Sequence, residues 1–138
     1  MTRHKVTKTV DFCYGHRLME YDGKCRNLHG HNGLLEVDLE ADSLDNLGMV
    51  MDFTQVKDIV KSWIDENLDH KMLLRRDDPV APLLKNLGEP LYLLDDNPTA
   101  ENIAMHIYHQ VHDQGLKVAE IRLWESPTSY ATYREEKS

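Results

Sequence analysis

KVTKTVDFCY, residues 5–14, alternates: Val6, Val10, Phe12 and Tyr14 fall on one side, Thr7, Thr9 and Asp11 on the other. A period of two marks a strand with one buried face. LLEVDLEA, residues 34–41, repeats the pattern, setting Leu35, Val37 and Leu39 against Glu36, Asp38 and Glu40. Between them runs a polar, glycine-containing connection, residues 17–33. Two strands with an apolar face need a second layer to cover it.

Helices supply that cover. Asp52-Phe53-Thr54-Gln55 nearly has the form of a capping box, and Val56, Ile59, Val60, Trp63 and Ile64 follow at helical spacing until about Leu68. Pro98-Thr99 opens a second helix, with Ile103, Ala104, Ile107, Tyr108 and Val111 on one stripe and Gly115 as terminator. Residues 118–124 and 130–134 read as two closing strands around the turn at Ser126-Pro127. Residues 75–97 carry Pro79, Pro82, Gly88 and Pro90 and read as an extended insertion with one short helix. The order predicts an α+β fold, a four-stranded antiparallel sheet with two helices packed on one face. Its open edges invite pairing with other chains.

The chain has 138 residues, which predicts one domain over 1–138. A net charge of −8 argues against a nucleic-acid partner, since phosphate neutralisation needs a basic face. A small anionic substrate stays open. No apolar run approaches the ~18 residues of a membrane span, and the first ten residues lack a signal-peptide core. Two cysteines, Cys13 and Cys25, make no disulfide framework, so a cytoplasmic location is expected.

His29-Gly30-His31 is the sharpest chemical feature. In extended backbone, residues i and i+2 point to the same side about 6.6 Å apart, so both imidazoles can converge on one ion. His16, at the end of the first strand, comes beside them if the chain returns as a hairpin. Three histidines without a fourth protein ligand describe an open, catalytic zinc site. Alone, HGH is as compatible with a polar turn; His16 and the nearby Cys25 favour metal.

Cys25, four residues before His29, could be a ligand, a nucleophile or a base. Cys13, inside the first strand, reads as packing. Asp69-His70 is an oriented imidazole for proton transfer or an ordinary helix end. Glu125, closing an apolar strand, could accept two hydrogen bonds from a guanidine-like edge or be a solvated terminus. His106, His109 and His112 form a rival cluster on the polar side of the second helix, where solvated residues belong.

Together these segments resemble the 6-pyruvoyltetrahydropterin synthase / 6-carboxytetrahydropterin synthase family. The resemblance rests on Phe12-Cys13-Tyr14-Gly15-His16-Arg17, Cys25-x-x-x-His29-Gly30-His31-Asn32, Gly48-Met49-Val50-Met51-Asp52-Phe53, Leu68-Asp69-His70-Lys71, Pro98-Thr99-Ala100-Glu101-Asn102 and Trp124-Glu125. It implies the T-fold, with subunits forming trimeric barrels, usually stacked as hexamers, and active sites between subunits. It implies Zn2+ on His16, His29 and His31, Cys25 as catalytic thiol, Asp69 and His70 as its acid–base partners, and Glu125 as pterin anchor or relay. Thr99 falls near the pterin, although helix capping is its simplest role. The three-residue gap between Cys25 and His29 resembles the bacterial 6-carboxy type. The implied reaction converts 7,8-dihydroneopterin triphosphate to 6-carboxy-5,6,7,8-tetrahydropterin, triphosphate and acetaldehyde, a step toward queuosine-type deazaguanines. The 6-pyruvoyl product is the nearest alternative, and a zinc- or pterin-binding module without turnover is the alternative of another class.

Overall fold

A computed structural model describes residues 3–136. β1 (His4–His16) and β2 (His29–Ala41) pair antiparallel along their whole length, with His4 opposite Ala41 and His16 opposite His29. Both strands run further than their apolar alternation suggests. The parity of Leu35 and Val37 continues through Gly33, His31 and His29, so the histidines occupy the end of the core face. Gly30 lets the strands close there, since a Cβ on it would lie 3.1 Å from the Tyr14 carbonyl oxygen.

The sheet corrects the expectation of four antiparallel strands. It has six, adding β3 (Lys71–Arg75) and β4 (Leu91–Leu94) to β5 (Glu120–Ser126) and β6 (Ser129–Tyr133), in the order β4-β3-β1-β2-β5-β6. β3 lies parallel to β1, with Tyr14 opposite Lys71 and His16 opposite Leu73, and β4 lies parallel to β3. The sheet is therefore mixed. KMLLR and LYLL are short and unalternating, as parallel strands often are, so a period-two reading passes over them.

α1 (Phe53–Asn67) starts at Asp52, whose carboxylate accepts the Thr54 N–H at 2.8 Å. Its buried stripe of Val56, Val60, Trp63 and Ile64 packs on β1. α3 (Ala100–Asp113) buries Ile103, Ala104, Ile107, Tyr108 and Val111 against β5 and β6. These stripes close over Phe12, Leu35, Val37, Leu73, Ile121 and Leu123 in one continuous core. Full burial of such a side chain stabilises by about 1.5–3 kcal/mol before entropy is counted.

Residues 75–97 form structure rather than an extended insertion. β3 ends at Arg75, α2 (Val80–Asn86) follows, and β4 closes the segment. Both ends grip the turn that leaves His16. Arg17 forks onto Asp78, with Nε to Oδ2 at 2.8 Å, and Asp78 also accepts the Val80 N–H at 2.8 Å to start α2. Burial pushes the Asp78 carboxyl up, but the hydrogen bonds from Arg17 and Val80 outweigh it and hold the group below its ordinary range. At the other end, the Asn97 amide takes the Met19 N–H at 2.8 Å and donates to the Met19 carbonyl at 2.9 Å.

Candidate active site

The end of the β1–β2 ladder gathers His16, His29 and His31, each offering a ring nitrogen within 4.8 Å of the others. Ring centroids are 4.5–5.0 Å apart. Backbone carbonyls fix the ring roles. His16 Nδ1 lies 2.7 Å from the Pro98 oxygen and His29 Nδ1 lies 2.7 Å from the Asn27 oxygen. An Nδ1–H donated to a carbonyl leaves Nε2 with its lone pair, the tautomer a metal ligand needs. His16 Nε2 and His31 Nε2 face each other at 3.1 Å. Tetrahedral zinc with bonds of about 2.1 Å places neighbouring donors about 3.4 Å apart, so these residues fit that ion.

Glu125 stands beside the trio, its Oε1 3.7 Å from His31 Nε2. The β5–β6 register shifts between Trp124 and Ser126. A bulge of this kind re-aims a side chain at a sheet rim, and here it falls on Glu125. Tyr14 sits below the histidines, edge-on to His16 at 5.3 Å, with its buried hydroxyl lacking a hydrogen-bond partner. Burial, reinforced by the Glu125 charge, pushes that phenol well above its ordinary range.

Burial also pushes the His16 imidazole down, against the raising effect of the Pro98 carbonyl. His31 is lowered by burial more than Glu125 raises it. An unfolded imidazole titrates near 6.5, so just below that pH the unfolded chain binds more protons than the folded one. Metal-free protein is therefore expected to lose stability as pH falls from about 7 through about 6. Urea midpoints over that range check it; a midpoint independent of pH would contradict the burial argument. Asp38, Asp69 and Asp78, all held low in the fold, add their own loss only as pH nears about 4.

Asp69 and His70 lie apart from the trio, between α1 and β3. Asp69 Oδ2 is 2.9 Å from His70 Nδ1, and Oδ1 accepts the Cys13 N–H at 3.0 Å. The His70 N–H donates to the Cys13 carbonyl at 2.7 Å, with His70 at φ 59°, left-handed for a residue with a side chain. Cys25 occupies the 3-10 turn Lys24–Arg26, half-buried, its carbonyl accepting the Leu18 N–H at 2.8 Å. Thr99 caps α3, its hydroxyl accepting the Asn102 N–H at 3.1 Å.

The expectation that Cys13 is packing is corrected. Its neighbours Phe12 and Tyr14 are buried on the core face, which sends Cys13 to the other, where its Sγ lies 3.0 Å from Asn32 Oδ1. Strand parity was the signal for this. The rival histidines disperse: His106 meets the Tyr92 hydroxyl at 2.6 Å, His109 sits 3.9 Å from Glu135, and His112 stacks on Tyr108. Arg17, Asp78 and Asn97 join the site's support only through long-range pairings.

A mixed sheet backed by helices, with three imidazoles aimed at one point and a carboxylate beside them, defines a protein with an open metal-type centre. Comparison with known proteins takes this further. The family model for 6-pyruvoyl tetrahydropterin synthase matches residues 5–136, and the chain belongs to that family. It is 40% identical over 133 residues to the 6-carboxy-5,6,7,8-tetrahydropterin synthase of Rickettsia conorii, covering 91% of this chain and 96% of that one. The protein of the same name from Haemophilus influenzae is 38% identical, covering 95% and 99%. An uncharacterised Wolinella succinogenes protein superposes with a TM-score of 0.81 at 28% identity, covering 96% and 98%. The Caenorhabditis elegans 6-pyruvoyl tetrahydropterin synthase shares the fold at TM-score 0.72 and 21% identity, covering 96% of each chain.

Proposed function

We propose that this chain is a lyase of the 6-carboxytetrahydropterin synthase type, one unit acting on 7,8-dihydroneopterin triphosphate. The observation that supports it most is the convergence of His16, His29 and His31 with their outer nitrogens engaged by carbonyls, beside Glu125. These three residues would hold Zn2+, which when bound acidifies side-chain hydroxyls and stabilises developing negative charge. Glu125 accepts hydrogen bonds from the guanidine-like edge of the pterin and fixes its orientation. Cys25 takes a proton from the substrate side chain, and His70, oriented by Asp69, moves a second. Triphosphate leaves, and side-chain cleavage then releases acetaldehyde and 6-carboxy-5,6,7,8-tetrahydropterin, a precursor of the queuosine type.

Within one chain, Asp69-His70 stands apart from the histidine trio. A ring of subunits, a trimer or hexamer joined through the free edges at β4 and β6, would bring one chain's pair to another's centre. No helix among the described residues is long and apolar enough to cross a membrane; cytoplasmic placement is part of the proposal. The second reading ends at 6-pyruvoyltetrahydropterin, the product type of the family description. Incubation with dihydroneopterin triphosphate and mass spectrometry of the products decides. The expected products are triphosphate, acetaldehyde and the carboxy compound. The pyruvoyl product alone would favour the second reading, and no triphosphate release would leave a binding module.

A further inference from the structure

We propose that Cys13, Asp69 and His70 form a second cation site, on the face of β1 opposite the histidine trio, that takes a thiophilic divalent ion of the zinc and cadmium kind. One sulfur, one carboxylate oxygen and one ring nitrogen lie within 4.8 Å of one another. Two backbone hydrogen bonds hold the pieces in register: Cys13 N–H to Asp69 Oδ1 at 3.0 Å, and His70 N–H to the Cys13 carbonyl at 2.7 Å. Ligation at about 2.0–2.3 Å needs donors roughly 3.4–3.8 Å apart. The His70 side chain, 77% exposed, can swing to close that difference.

The donor set selects the ion. Thiolate with imidazole favours zinc or cadmium over magnesium or calcium, which seek oxygen. Three protein ligands leave a fourth position for water. Asn32 already meets Cys13 Sγ at 3.0 Å through its amide oxygen. When the ion displaces the thiol proton to solvent, that amide, turned over, donates N–H to the thiolate and completes the outer shell. A cavity of about 630 Å³, lined by Cys13, Asn32, His70, Met72 and Leu87 among others, gives a hydrated ion access. The consequence for activity rests on the proposed function: an ion on His70 removes the proton-transfer group, so excess zinc inhibits.

The test titrates cadmium into zinc-loaded enzyme and follows thiolate-to-cadmium charge-transfer absorbance. The band should saturate at one equivalent per chain, persist in Cys25→Ser, and vanish in Cys13→Ser while that variant keeps its zinc. His70→Ala should bind at least about tenfold more weakly. No saturable band, a band surviving Cys13→Ser, or one lost in Cys25→Ser would each overturn the site. In parallel, excess zinc should slow triphosphate release by the wild type and spare Cys13→Ser, each measured against its own uninhibited rate. A Cys13-dependent band without inhibition upholds the site and overturns the acid–base role of His70.

Discussion

His31→Ala is expected to lose its metal and its triphosphate release together. Altering an outer-shell partner already costs about 10–100-fold in metal affinity, and removing one of three protein ligands costs more. His29→Ala should behave alike, because both side chains are only partly buried and their removal disturbs little packing. His16 is a poorer probe. It is 2% exposed, so truncation also opens a cavity and confounds metal loss with unfolding. His109→Ala, facing Glu135 and Tyr133 far along α3, should keep both metal and rate. Zinc per chain by atomic emission, paired with steady-state turnover, reads the result. Full zinc retention in both HGH variants would remove the metal assignment.

Cys25→Ala should slow triphosphate elimination by about 10²–10⁴, the usual cost of deleting a general base, with zinc content unchanged. The 3-10 turn holding Cys25 is tied to the end of β1 through its backbone, by the Leu18 N–H, so the substitution leaves the turn's hydrogen bonding in place. Metal analysis and rate together separate the outcomes. Zinc loss would make Cys25 a fourth ligand and close the site. Near-normal turnover would move the base elsewhere, to His70 first.

The helix-covered sheet was legible because its signals are local. Alternation in β1 and β2, the Asp52 and Thr99 caps and the stripes of α1 and α3 each lie within one element. HGH was legible too, since its spacing and strand geometry are the same fact. β3 and β4 were not, because LYLL and KMLLR are buried without alternation. The clamp of Arg17 on Asp78 and of Asn97 on Met19 joins residues far apart in the chain, and only the fold can choose those partners. The bulge that turns Glu125 toward His31 depends on β6 and carries no mark in WESP. Cys13 differs from these: parity placed it opposite Phe12 and Tyr14, and reading it as packing passed over that signal.

The left-handed backbone at His70 sets thermal robustness against proton transfer at a single position. A side chain held there costs about 1–2 kcal/mol that glycine would not incur. Glycine offers no imidazole for Asp69 to orient. Variants selected for heat resistance alone would thus drift toward His70→Gly and away from catalysis, while the steric penalty of the native residue remains the mark of a position kept for its ring.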